Sequence, residues 1–200
     1  MREHLVFASV LCIVIRTAVA GSPAVTQRGP EGQVLSAQSG LILQVDEGER
    51  LVRRPPPGTT AANPPTPSII KVDRKNGGSP DLVMGYEVLS PGRTIQPHRH
   101  LVAEEIIFVH SGTGTATVGD RQGPISAGAT VYIPRNVRIT LANTGQEPMA
   151  IAFFFSKPGF EDYMRDTSVP EGQPAPPMSP EELEAIRQKH AAHTIYEPRQ

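Results

Sequence analysis

Two histidines and a glutamate lie close together near the middle of the chain, within the segment Gly92 to Gly114. His98 and His100 are separated by one residue, so a strand places both imidazoles on the same face. Glu105 follows after a short turn, which would start a second antiparallel strand and bring its carboxylate opposite the pair. Two neutral imidazoles and one carboxylate suit a divalent first-row metal. The residue types and their spacing therefore predict a metal site at His98, His100 and Glu105.

We place the other polar residues of this region outside the ligand set. Glu104 precedes Glu105 and points to the opposite face of a regular strand, so it belongs to the rim or exterior unless the register slips by one residue. His110 has the opposite parity to Glu105, which predicts an outward or turn position unless a bulge intervenes. Tyr86 and Tyr132 fall in predicted strands, where packing in the wall is favoured over hydrogen bonding to a ligand.

Short apolar runs separated by turn residues predict an all-β fold around this site. The chain has 21 Pro and 18 Gly and no Trp, which favours many short strands over long helices. Nothing shows the strand-helix alternation of a parallel sheet, so the pattern indicates a sandwich or barrel. The predicted strands are Leu41–Val45, Leu51–Arg54, Ile69–Val72, Leu82–Leu89, Glu105–Val109, Ala116–Val118, Thr130–Ile133, Val137–Ala142 and Met149–Phe155.

The order of the glycines and the three candidate ligands resembles the first motif of the cupin superfamily. It reads Gly92, five residues, His98-x-His100, four residues, Glu105, six residues, Gly112, and a second motif resembles the stretch from Gly128 through Pro134 to Asn143. The closing SKPGFEDYMRD is similar to bacterial single-domain cupins of the quercetin-dioxygenase-like type. The resemblance implies a single cupin jelly-roll (double-stranded β-helix) barrel at 68–157, followed by a short C-terminal helix.

The second motif departs from the family pattern at two positions. A glycine is expected where Asn136 stands, and asparagine tolerates the same left-handed backbone. A histidine, the fourth metal ligand, is expected where Ile139 stands, and isoleucine coordinates nothing. The resemblance thus implies a divalent ion (Fe, Mn, Ni or Zn) held by three residues with one more open position, or a site that has lost its metal. If Ile139 faces the ligands, it makes that side of the cavity apolar.

Three functions remain open at this point. The first is a metal-dependent enzyme of dioxygenase or isomerase type acting on a small oxygen-bearing organic substrate. The second is a non-catalytic cupin that binds a small molecule or a metal, and the third is a barrel that serves only as a scaffold for a partner. With 19 basic and 20 acidic residues, no basic stretch indicates a nucleic-acid partner.

The first twenty residues predict a secretory signal peptide, 1–20. A basic start, an apolar run from Leu5 to Ile15 and the small residues Ala18-Val19-Ala20 fit a cleavage site. The run is too short for a stable membrane anchor. We therefore expect a secreted or periplasmic protein, and removal of Cys12 leaves no cysteine to bind metal or form a disulfide.

The sequence predicts less about the segments before and after the barrel. Residues 21–67 read as a lead-in with short strands and a Pro-rich loop, and 158–200 as an extension with a helix from Pro180 to about Ala191, capped by Ser179. His190 and His193 are expected at the surface. The apolar runs Ile106–Val109 and Phe153–Phe155 lack alternation, which predicts strands covered on both faces, the outer face by a partner or by the N-terminal segment. Because many cupins pair through such sheets, the resemblance implies a homodimer.

Overall fold

Twelve strands and two helices follow one another in residues 40–59 and 66–197, the part of the chain that this computed structural model describes. The predicted signal peptide, the rest of the lead-in up to residue 39 and residues 60–65 of the Pro-rich loop lie outside it. The elements are β1 Glu49–Arg53, β2 Ser68–Val72, β3 Val83–Leu89, β4 Thr94–His100, β5 Glu105–Ser111, β6 Thr113–Val118, β7 Arg121–Ser126, β8 Thr130–Ile133, β9 Ile139–Ala142, β10 Met149–Phe155, α1 Phe160–Asp166, β11 Ser168–Pro170, α2 Pro180–Lys189 and β12 Thr194–Tyr196.

The strands form two antiparallel sheets with the apolar core between them. One sheet has the order β11-β1-β2-β3-β10-β5-β8 and the other β12-β4-β9-β6-β7. Ile107 and Ile151 from the first sheet and Ile139 and Leu141 from the second belong to one buried cluster. Neighbouring strands are mostly distant in sequence, so the chain passes repeatedly from one sheet to the other. The all-β prediction is confirmed.

The outer face of the larger sheet is partly open within the described part of the chain. In β5, buried residues alternate with exposed ones, and Ile106 and Phe108 are 43% and 40% exposed. Only β10 is buried along nearly its whole length, and there Phe154 is the exposed residue. The apolar run in β5 is therefore covered on its inner face alone by the described part of the chain.

Turn residues with left-handed backbone account for three positions of the two motifs. Gly92 and Gly112 have φ values of 75° and 84°, and a Cβ on Gly112 would lie 2.6 Å from Cα of Met149. Asn136 has φ of 60°, the left-handed conformation expected from its place in the second motif. These residues allow the sharp turns that precede the next strand of the barrel.

The segments flanking the barrel add strands to both sheets. β1 and β11 pair with each other at the edge of the larger sheet, and β12 pairs with β4 in the smaller one. Helix α2 begins as predicted, with the Ser179 hydroxyl accepting a hydrogen bond from the Glu182 amide, and Arg54 forms a salt bridge with Glu182. Neither described helix is long and apolar enough to cross a membrane.

Several elements were not anticipated. Residues 41–45 form no strand, whereas β7, β11 and β12 were not predicted. β7 has the sequence RQGPIS, in which Gly123 and Pro124 are poor strand formers. Because β7 lies at the edge of its sheet, Pro124 is tolerated there. β11 and β12 are three residues each, too short for an alternating pattern to show.

Candidate metal centre

His98 and His100 lie on the inner face of β4, as their spacing predicts. Their side chains are 4% and 2% exposed. The two Nε2 atoms are 3.1 Å apart. Both imidazoles therefore point to one place between the sheets.

Glu105, the first residue of β5, approaches the pair from the other sheet. The strand that begins at Glu105 was expected to pair antiparallel with β4. Instead, β5 pairs with β10 and β8, and β4 pairs with β9 and β12. The Glu105 carboxylate still faces the histidines, with Oε2 3.3 Å from Nε2 of His100. One ligand atom from each residue falls within 4.8 Å of the others. The structure thus brings together all three predicted residues.

The donor set fits a divalent cation. Oε2 of Glu105 is buried and has no hydrogen-bond partner among the described residues. A buried carboxylate oxygen without a partner is costly, and a cation between it and the two imidazoles would satisfy all three groups. Imidazole nitrogen and carboxylate oxygen are ligands of zinc, iron, nickel and manganese, so the chemistry does not select one metal.

Neighbouring groups orient both imidazoles. Nδ1 of His98 lies 2.8 Å from the carbonyl oxygen of Gln96, which requires Nδ1 to carry the hydrogen and leaves the Nε2 lone pair for a ligand. Nδ1 of His100 lies 3.3 Å from Oγ1 of Thr194. Burial, aided by the neighbouring His100, lowers the pKa of His98 to about 3. His98 is therefore neutral at neutral pH, the form that binds metal.

Aromatic rings from the C-terminal extension cover the histidines. The rings of Phe160 and Tyr196 stack on His98 with centroids 5.9 and 5.3 Å away. Phe160 also meets the edge of His100 at 4.7 Å. Sequence reasoning missed the contributions of Thr194, Tyr196 and Phe160 to the site. The three-residue strand Thr194–Tyr196 is too short for a local pattern to have indicated Thr194 and Tyr196.

A cavity of about 110 Å³ adjoins the ligand cluster inside the barrel. His98 and Glu105 line it together with apolar side chains, among them Ile107, Ile139 and Leu141. Ile139 is paired with His98 across β4 and β9 and is 1% exposed. An apolar residue thus stands beside the candidate ligands.

The remaining polar candidates lie elsewhere. His110 is exposed on the outer face, where its ring centroid lies 6.2 Å from that of Tyr86, and Tyr132 is also exposed on that face. Glu104 is half-buried just before β5. The surface position expected for His190 is wrong: it is 6% exposed, and its Nε2 lies 2.6 Å from Oδ2 of Asp166. His193 is half-buried.

Part of the barrel matches a known protein family. Residues 85–155 match the cupin domain family. This cupin match spans β3 to β10 and contains all three candidate ligands, and with the two antiparallel sheets it supports placing the barrel in the cupin superfamily. The fold is the cupin jelly-roll. β1, β2 and the whole C-terminal extension lie outside the matched segment.

The similar proteins have diverse names. Over 76 residues the chain is 32% identical to Protein SchB of Streptomyces halstedii, covering 38% of this chain and 55% of that protein. Over 90 residues it is 29% identical to Auxin-binding protein 1 of Arabidopsis thaliana, covering 40% and 45%. The chain thus spans about half the length of the curated relatives it matches.

Solved structures give similar partial matches. A predicted oxalate decarboxylase from Thermotoga maritima aligns with a TM-score of 0.49 and 15% identity, over 59% of this chain and 100% of that chain. A putative sugar phosphate isomerase from Acidithiobacillus ferrooxidans aligns with a TM-score of 0.41 and 24% identity, over 46% and 61%.

Proposed function

We propose that this chain is an exported, metal-binding single-domain cupin that acts as a metal-dependent enzyme on a small oxygen-bearing organic substrate. One observation carries the proposal: three buried side chains place ligand atoms within 4.8 Å of one another, and one of these side chains, Glu105, has a buried oxygen without a hydrogen-bond partner among residues 40–59 and 66–197. The proposed ligands are His98, His100 and Glu105. A purely structural role would not require a buried carboxylate beside two imidazoles.

The residues around the three candidate ligands favour a ligand-binding site over a fully packed hydrophobic core. When bound, a divalent ion supplies Lewis acidity and, if redox-active, a means of engaging dioxygen. Gln96 fixes the tautomer of His98, and the apolar wall around Ile139 keeps water away from that side of the cavity. Because Ile139 stands where the family pattern has the fourth ligand, a bound metal would have one open position beyond those that a four-ligand site leaves. A bidentate substrate, or a substrate together with dioxygen, needs this additional position. We propose chemistry of the dioxygenase or isomerase type on this basis.

The alternative is a non-catalytic cupin that binds a small molecule or a metal. Ile139 favours it, because the family pattern has the fourth ligand at this position, and the loss of that ligand would weaken metal binding. The two functions differ in their response to chelators. A binding protein that has lost its metal would retain its ligand in the presence of EDTA, whereas the enzyme would lose activity.

Export and homodimer formation belong to the same proposal. The basic start, apolar run and Ala18-Val19-Ala20 support secretion or location in the periplasm. Ile106, Phe108, Tyr132 and Phe154 expose apolar surface on the outer face of the larger sheet. A second copy meeting this face would bury it.

The metal content of the purified protein tests the proposal. The chain from Gly21 is purified without a tag or chelator, beside a His98→Ala/His100→Ala double variant, and both are analysed by mass spectrometry for metals. About one iron, manganese, nickel or zinc per chain, lost in the double variant, is the expected result. Absence of metal from both proteins, even after reconstitution, would contradict a metal-dependent enzyme and favour the metal-free binding protein.

A further inference from the structure

Three arginines line the cavity that adjoins the candidate metal centre. Arg53 comes from β1, Arg93 from the turn before β4, and Arg187 from α2. Arg53 and Arg93 are also solvent-exposed, so they stand where the cavity meets solvent. Both guanidinium groups are close enough to Glu87, another residue of the cavity lining, to act on its charge.

The hydrogen-bonding capacity of these arginines is largely unused. Nη2 of Arg53 donates to the hydroxyl of Tyr163 at 3.1 Å. The side chain of Arg93 forms no hydrogen bond or salt bridge with residues 40–59 or 66–197. The guanidinium of Arg187 lies 5.5 Å from the ring centroid of Tyr196, and its buried Nε has no partner in the same part of the chain. Each guanidinium has five N–H donors, so most remain available to a ligand.

Acidic residues do not neutralise this set. Glu87 and Glu105 also line the cavity. Glu87 makes no salt bridge with an arginine in the described ranges, and burial raises its pKa while the charges of Arg53 and Arg93 act in the opposite direction. Glu105 faces the two histidines. Three fixed positive charges therefore oppose two carboxylates, and a bound divalent ion would add two more positive charges.

We propose that the ligand of this cavity is a small organic carboxylate, held at its carboxylate end by Arg93 and Arg53. A guanidinium matches a carboxylate with two parallel hydrogen bonds, a geometry that neutral ligands do not reproduce. The apolar residues Ile139, Leu141 and Ile151 face the remaining part of the molecule. Because a cavity of about 150 Å³ accommodates benzene, one of about 110 Å³ limits the ligand to a few non-hydrogen atoms. This inference names the substrate class of the proposed enzyme and rests on that proposed function.

Matched acids and amides provide the test. Straight-chain carboxylates from acetate to butanoate, each beside its primary amide, are titrated into the zinc-reconstituted chain by calorimetry, and zinc content is measured on the same samples. At least one carboxylate is expected to bind about tenfold more tightly than its amide, because charge-assisted hydrogen bonds are about twice as strong as neutral ones. Arg93→Gln removes most of that preference. Glu87→Gln, which removes an opposing charge, increases the preference for the carboxylate over the amide. Arg121→Gln, an exposed arginine in β7 away from the cavity, leaves it unchanged.

The outcomes separate this inference from the proposed function. If zinc binds but no carboxylate exceeds its amide, the carboxylate assignment is wrong while the metal centre stands. The assignment is also wrong if the preference persists in Arg93→Gln, since the metal alone would then bind the acid. If the chain does not bind zinc, the proposed function is contradicted instead. Repeating the titration on the zinc-free chain then shows whether the arginines alone select carboxylates over amides.

Discussion

The hydroxyl oxygen of Thr194 lies 3.3 Å from Nδ1 of His100, where the last strand pairs with the strand that carries both histidines. This contact leaves Nε2 of His100 directed at the ligand cluster. Groups in this position fix the tautomer and the ring orientation of a metal-binding histidine.

Replacing this hydroxyl should weaken metal binding without unfolding the protein. Thr194→Val keeps the shape of the side chain but removes the partner of Nδ1, so we expect zinc affinity to fall about 10- to 100-fold in a competition titration with a chelating dye. Thr194→Ser, which retains the hydroxyl, should preserve the affinity. Equal affinities for Thr194→Val and the unmodified chain would show that the contact does not orient His100.

A histidine in place of Ile139 should add a ligand. Ile139 is paired with His98 and lines the same cavity, so Ile139→His is expected to raise zinc affinity at least about tenfold, a gain of only about 1.4 kcal/mol. Thr140→His, one residue later and on the opposite face of β9, is the matched control. An unchanged affinity for Ile139→His would mean that the residue does not face the ligands.

A buried ion pair between α1 and the end of β2 should contribute strongly to stability. Nη2 of Arg165 lies 2.6 Å from Oδ2 of Asp73, whose side chain is fully buried. Arg165→Met leaves that charge without its partner, and we expect a loss of about 3 kcal/mol or more in the free energy of unfolding measured with urea. Arg74→Met breaks an exposed bridge to Asp162 and should cost less than about 1 kcal/mol. Similar losses for both variants would contradict this assignment.

The acid sensitivity of the fold should depend on Asp162. Burial acts to raise the pKa of this carboxyl, but hydrogen bonds from Lys75, Arg74 and Arg165 outweigh it and lower the pKa to about 2. A pKa below that of the unfolded chain stabilises the folded state at higher pH, and this stabilisation is lost as the pH falls from about 4 to about 2. Asp162→Asn should therefore show a smaller decrease in stability across that interval.

The measurement for this prediction is urea unfolding at a series of acidic pH values. Asp120→Asn, a substitution in the exposed turn between β6 and β7, provides the control. A slope for Asp162→Asn equal to that of the unmodified chain would assign the acid sensitivity to other carboxylates.

The exposed apolar face of the larger sheet should determine the oligomeric state. Phe108 is 40% exposed there, beside Ile106 in β5 and Phe154 in β10. Phe108→Lys places a charge in the centre of the proposed interface, so we expect a dimer mass for the unmodified chain and a monomer mass for the variant in light scattering. Ile195→Lys alters an exposed residue of the smaller sheet and should leave the mass unchanged. A monomeric unmodified chain would contradict the proposed homodimer.

Local patterns were sufficient for the central features of the fold. The separation of His98 and His100 by one residue predicted a shared strand face, and the left-handed backbone at Asn136 followed from the glycine that the resemblance expects at this position. The parity of His110 predicted its outward position. All of these depend on neighbours within a few residues, where backbone geometry links sequence directly to direction.

Contacts between distant segments could not be predicted in the same way. Thr194 and Tyr196 reach the histidines because a three-residue strand pairs with β4, and such a strand carries almost no periodicity of its own. His190 is buried because α2 brings it to Asp166, although its helix has no buried residue within its bounds. The turn after His100 was read as a hairpin, yet it crosses between sheets, since loop length alone does not determine which strands pair.

Because the chain crosses between the sheets after His100, a bound metal would affect the stability of the barrel. His98 and His100 belong to the smaller sheet and Glu105 to the larger, so an ion held by all three would cross-link the two halves of the fold. Because binding to the native state alone raises stability in proportion to the logarithm of ligand concentration, the melting temperature should rise as free metal increases. Thermal denaturation would then report occupancy of the site directly, before any substrate is known.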